Sequence, residues 1–225
     1  MPTREIPKSE ETRARILEAA LTLFREEGFD GSTMREIAAK AGVATGAAYY
    51  YYASKDAIVM DFYERSSAAM QPQAELAVQH AKGLEERLRL AIAAKLDYFA
   101  PNRGVLRALL RNGADPKHPL SPFSAETKSI RDADIAAFAR LVAGSGVRVP
   151  RDVEPHLPGV LWFFQMGVIL FWVVDESANQ VRTTRLLELS TKAVAGLIRL
   201  SSLPLMRPVR KTAIELIQIV KAGPE

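Results

Sequence analysis

"STMREIAAKAGVATGAAYYYYASKD", residues 32–56, packs three helix starts, a tight turn and four of the chain's six tyrosines into one stretch. Thr33 and Glu36 stand at capping-box spacing, so a helix is expected to begin beside them. Ile37 and Ala41 turn inward, and Gly42 ends that helix after about two turns. A second short helix is expected from Ala44 to Tyr51. A longer one starts where Ser54 caps and Asp56 occupies the first turn.

Upstream, Ser9 reads as a cap followed by the first-turn acids Glu10 and Glu11. Ile16, Ala20, Leu23 and Phe24 then form one apolar stripe that stops at Gly28. Three helices, the last two short and joined by a tight turn, make the pattern of a helix-turn-helix module. Ala44, Ala47 and Ala48 keep its second short helix slim enough to approach a groove or another helix.

Helical periodicity continues, strand signals are almost missing, and the fold class is all-α. Further helices are expected at 54–81 with a kink or break at Pro72, then at 84–100, 103–112, 122–144, 153–176, 182–202 and 207–222. "PNRG", "NGADPKHPLSP", "GSGVRVPRD" and "LPLMRP" punctuate them. A composition shift suggests a module over residues 1–55 and a larger, more apolar domain over 56–225.

The 225 residues are 48% hydrophobic and 25% charged, which excludes a disordered chain. Cysteine is absent, so disulfides, thiolate metal sites and cysteine nucleophiles are excluded. No cofactor is expected. His80, His118 and His156 lie far apart, without metal-ligand spacing, and no phosphate loop or nucleophile elbow is present, so catalysis is not expected. "MPTREIPKSEETR" has no apolar run behind it, which leads us to expect no secretory leader and a cytoplasmic address. The net charge is +4, yet the first 55 residues hold eight basic and eight acidic side chains, so any polyanion face must come from arrangement in space.

The run "LPGVLWFFQMGVILFWVV", residues 157–174, reaches the length of a membrane span. Pro158, Gly159, the mid-run glycine and the lack of a basic flank favour a helix buried between protein surfaces instead.

Residues 12–58, "TRARILEAALTLFREEGFDGSTMREIAAKAGVATGAAYYYYASKDAI", resemble the DNA-binding region of the TetR family of bacterial transcriptional regulators. The "GF" before the second helix, "AGV" at the turn and "Y…SK" entering the fourth helix carry the likeness. The resemblance implies a ligand-responsive regulator, more commonly a repressor, that binds a palindromic operator in double-stranded DNA as a homodimer. It puts Thr33 and Arg35 where the second helix meets DNA, and Thr45, Gly46 and Ala47 at the exposed start of the recognition helix. Tyr49 and Lys55 match residues that reach phosphates. One departure is Tyr52, where the family commonly has phenylalanine; its hydroxyl needs a partner or an exit to water.

Successive helical residues turn by about 100°, so the four tyrosines divide: Tyr49 to a phosphate, Tyr50 and Tyr51 along the groove, Tyr52 into the core. On spacing alone, all four could instead fill the junction with the next helix. Arg35 could pair with guanine, and Thr45 could meet a base or a thymine methyl. Arg4, Lys8 and Arg13 could form a basic arm.

The resemblance also implies an effector-binding larger domain, with dimer contacts on two late helices, here 153–176 and 182–202. Phe62, Tyr98, Phe99, Phe123, Phe138, Trp162 and Met166 are candidate lining residues, with Gln165 as the orienting polar group. Such a pocket suits a small apolar effector; aromatic residues at this spacing equally suit a core. A helical membrane-associated or ligand-buffering protein that keeps the module as structure is the alternative.

Overall fold

The computed structural model describes residues 8–113 and 115–222, and among them every regular element is helical, as expected of an all-α chain. The helices are α1 (Lys8–Glu26), α2 (Met34–Lys40), α3 (Thr45–Tyr51), α4 (Lys55–Val78), α5 (Gly83–Phe99), α6 (Arg103–Gly113), α7 (Lys128–Ala143), α8 (Leu157–Val174), α9 (Val181–Ser201) and α10 (Arg207–Ala222). They gather into two compact units. One holds the residues up to Ala69 together with Phe99–Arg131; the other holds Met70–Tyr98 and the residues from Asp132 onward.

In the first unit, seven-residue helices such as α2 and α3 are too short to persist in water by themselves. They survive by burying Ile37 and Ala48 along with Ile16, Ala20 and Phe24 of α1 and Ile58 and Val59 of α4. Each large aliphatic buried this way contributes about 1.5–3 kcal/mol before entropy is counted. The capping box forms as expected. Thr33 Oγ1 accepts from the Glu36 amide, while the Thr33 amide donates to Glu36 Oε2 at 2.8 Å. Hydrogen bonding from the Thr33 side chain, above all, holds the Glu36 carboxyl below its ordinary range. At Gly42 the backbone adopts φ 66°, a conformation any side chain would strain, and the chain turns there into α3.

In the second unit, Leu84 and Leu88 of α5, Phe138 and Leu141 of α7, Leu157, Leu161 and Trp162 of α8, and Ala195 and Ile198 of α9 form one core cluster. α8 and α9 are joined by a turn in which Asn179 and Gln180 both take positive φ. Trp172 Nε1 donates to Gln180 Oε1 at 2.6 Å, and the buried Asp175 carboxylate accepts from the amide and hydroxyl of Thr183. Those bonds, the Thr183 hydroxyl foremost, depress the Asp175 pKa.

Several boundaries differ from expectation. Ser9 lies inside α1 rather than capping it, and α4 runs unbroken through Pro72, ending at Val78. α7 starts at Lys128, not 122, because Ser124 and Thr127 spend their hydroxyls on Pro119 and Ser121 carbonyls, which suits turns better than a helix. α8 starts at Leu157, with Pro158 in its first turn, where proline's missing amide costs nothing.

Candidate nucleic-acid interface

α3 offers solvent a surface without charge: Thr45, Gly46, Ala47, Tyr49, Tyr50 and Tyr51 include neither acid nor base. Thr45 and Gly46 are exposed, Ala47 and Tyr51 are half-buried, and Tyr49 and Tyr50 are 52% and 84% exposed. Tyr50 and Tyr51 meet edge to face at 5.3 Å. Ala48, pointing the other way, is fully buried and seats the helix on the module's core.

Thr33 and Arg35 flank this surface from α2, and both are exposed. Among the described residues Arg35 has no ion-pair or hydrogen-bond partner, so its guanidinium is available to an outside acceptor. Three acids of the module are engaged: Glu36 in the capping box, Glu26 with Lys40 at 2.8 Å, and Glu18 with Arg25 at 3.1 Å.

Lys55 is more committed than the sequence indicated. Its ammonium lies 4.6 Å from the Phe29 ring centroid and donates to the backbone carbonyls of Phe29 and Ser32. It ties the start of α4 to the loop before α2 and keeps one N–H in reserve. Arg13 is likewise not part of a free arm, since it pairs with Asp61 at 3.1 Å; Lys8 belongs to α1, and Arg4 lies outside the described residues.

Tyr52 packs inward at 2% exposure, and its hydroxyl has found partners: it donates to Asp61 Oδ2 at 2.6 Å and lies 3.3 Å from the Arg13 carbonyl. Burial first, and the bond to Asp61 second, push the Tyr52 phenol above its ordinary value. Asp61 was missed by sequence reasoning. A lone acid on an apolar helix face beside an unexpected tyrosine hydroxyl was the available signal.

The candidate effector-lining residues fall into two sets. Phe62 and Phe99 stack edge to face at 5.9 Å in the first unit, which also holds Phe123, 39% exposed. Phe138 and Trp162 share the core cluster of the second unit with Met166 packed against it; Tyr98, half-buried, belongs to that unit. Gln165 is buried on α8, and its Nε2 has no hydrogen-bond partner among the described residues.

α8 divides its apolar residues between two faces. Leu161, Trp162, Val168, Ile169 and Trp172 are buried. Val160, Phe163, Gly167, Leu170 and Val174, alternating in steps of three and four, are exposed. On α9, Leu189, Ala193, Leu197 and Leu200 make a similar exposed stripe, with Ser190 half-buried beside it.

Residues 87–215, more than half of the chain, match the tetracyclin-repressor-like C-terminal domain model, and residues 16–61 match the model of bacterial regulatory proteins of the tetR family. Over 97 residues, 43% of the chain, it is 33% identical to the HTH-type transcriptional regulator SrpR of Pseudomonas putida. Over 138 residues, 59% of the chain, it is 31% identical to the HTH-type transcriptional repressor BepR of Brucella suis. The chain spans 44% of the length of the first and 65% of the second. The transcriptional regulator FadR of Bacillus subtilis, solved in complex with stearoyl-CoA, shares the fold with a TM-score of 0.61 at 16% identity, over 79% of this chain and 96% of that one.

Proposed function

Since the chain belongs to the TetR family, we propose that it is a cytoplasmic, ligand-responsive, DNA-binding transcriptional repressor that grips a palindromic operator as a homodimer. The observation that carries this reading is the α2–α3 surface: an uncharged, hydroxyl-bearing helix, exposed beside an unpaired arginine, with the Glu36 carboxylate drawn into the capping box. Tyr49 and Lys55 hold phosphates; Thr33 and Arg35 meet the DNA from α2, with Arg35 and Thr45 reading base edges; Gly46 and Ala47 admit the helix to the major groove, with Tyr50 and Tyr51 along it. One such helix reads few base pairs, so two copies are needed, and the exposed apolar stripes of α8 and α9 are suited to join them.

The effector in this reading is small and apolar, held either by the set Phe62, Phe99 and Phe123 or by the set Tyr98, Phe138, Trp162 and Met166, and released DNA is the ligand-bound state. Support comes from the unpartnered Gln165 amide, a buried donor that an acceptor on the ligand would satisfy.

Selection from a random duplex pool at near-physiological salt tests the reading. An enriched palindrome is the expected result; a folded dimer that enriches nothing would overturn it. A membrane-associated role draws on the same exposed stripe of α8, and detergent-free purification as a soluble dimer would end it.

A further inference from the structure

Asp61 sits on α4 at 7% exposure and is held from three directions. From α1, Arg13 brings one guanidinium nitrogen to Oδ1 at 3.1 Å and another to Oδ2 at 3.4 Å. One turn along α4, Arg65 donates its Nε to Oδ2 at 2.8 Å and passes the charge on to Glu10 of α1 at 3.3 Å. The third hold is the Tyr52 hydroxyl, on the residue that closes the C-terminus of α3. The Arg13 guanidinium also lies 5.2 Å from the centroid of the Tyr52 ring, so the phenol is gripped by its face as well as its tip.

Packing alone does not call for this arrangement. A phenylalanine at 52 would fill the same volume, and Asp61 already has two cations. What the hydroxyl adds is direction: a charge-assisted bond of defined geometry between the end of α3 and the second turn of α4. With Lys55 fastening the start of α4 to the Phe29 and Ser32 carbonyls, α4 is attached at its first residue to the loop before α2 and by its second and third turns to α1 and α3. Sliding or rotating this part of α4 must either break the bonds on Asp61 or carry α1 and α3 with it.

We propose that Tyr52 and Asp61 are positioning residues for operator recognition: they fix the pose of α3 on α4 without touching DNA, so sequence reading depends on a buried hydroxyl. This rests on the DNA-binding reading above. Two consequences separate it from a plain contribution to stability. Loosening the clamp should reduce binding to the operator more than binding to arbitrary duplex, because phosphate contacts tolerate a misplaced helix and base contacts do not. It should also loosen α3 while leaving the capped α2 alone.

The test compares wild type with Tyr52→Phe, which keeps the ring and its packing, and with Asp61→Asn, which keeps the shape and removes the charge. Affinity is measured for the duplex recovered by selection and for a scrambled duplex of equal length. Amide hydrogen exchange is followed over 34–40 and 45–51. Expected for Tyr52→Phe is a loss of about fivefold or more on the operator, the worth of one good hydrogen bond, with less than twofold on the scramble. Exchange should speed up in 45–51 and not in 34–40, and Asp61→Asn should show the same pattern more strongly. Equal losses on both duplexes, or unchanged exchange in 45–51, would overturn the clamp. Should wild type select no sequence, the DNA-binding reading fails by itself, and unchanged exchange in 45–51 would remove the clamp as well.

Discussion

α3 and α8 both hold aromatic side chains out to solvent, but with opposite chemistry. On α3 the exposed rings are tyrosines, each ending in a hydroxyl, on a helix of seven residues; on α8 they are bare hydrocarbon, Phe163 among Val160, Leu170 and Val174, on a helix of eighteen. A hydroxyl-tipped ring can lie on an apolar surface and still bond a polar one, so it suits a partner of grooves and phosphates. Hydrocarbon in steps of three and four suits the apolar face of another helix. On the proposed reading, each surface fits its partner, polyanion in one case and a second copy of the chain in the other.

That contrast breaks most readily at Phe163. Replacing it with glutamate should weaken self-association by about 30-fold or more, the scale of a central interface residue, as read by sedimentation equilibrium; an unaffected dimer would assign the α8 stripe to some other partner. Next in size is Arg35→Ala, expected to cost about 1–3 kcal/mol of discrimination at a single base pair in competition against singly substituted operators. Loss spread evenly over every position would reduce Arg35 to a phosphate contact.

Thr33→Ala sharpens the contrast in another way, because α2 depends on its polar cap where α8 depends on packing. Denaturant unfolding should show about 1 kcal/mol less stability. No change would mean that burial of Ile37 alone holds α2. The smallest effect belongs to Tyr49→Phe, about threefold weaker binding to operator and scramble alike, the signature of one lost phosphate bond. A selective loss on the operator would make Tyr49 a base reader.

The parts legible in sequence were those written in short-range chemistry. Thr33 and Glu36 lie three residues apart, Gly42 marks its own turn, and a rotation of 100° per residue divided the tyrosines, with the family resemblance sending Tyr52 inward and Tyr49 outward. Long-range partners were illegible. Arg13 meets Asp61 across 48 positions, and nothing local distinguishes that arginine from one on a solvated arm. The start of α7 was misplaced for a related reason: Ser124 and Thr127 bond backbone carbonyls several residues back, and that choice depends on how the 115–127 segment folds over itself. Lys55 fell between the two cases, its position evident and its carbonyl partners not.

Gly167 lies within the exposed apolar stripe of α8 and half-buried Gly196 next to that of α9, and a methyl group placed on either would meet nothing within 4 Å among the described residues. A glycine inside a helix costs about 1 kcal/mol relative to alanine, and a single copy gains nothing in return. Close approach of a second backbone is what would use that space. On the proposed dimer reading, the folded monomer is under-determined by its own interior: the two helices give up stability at these positions for a neighbour yet to be met, and an alanine-for-glycine exchange that stiffened the lone subunit would do so by closing the door on its pair.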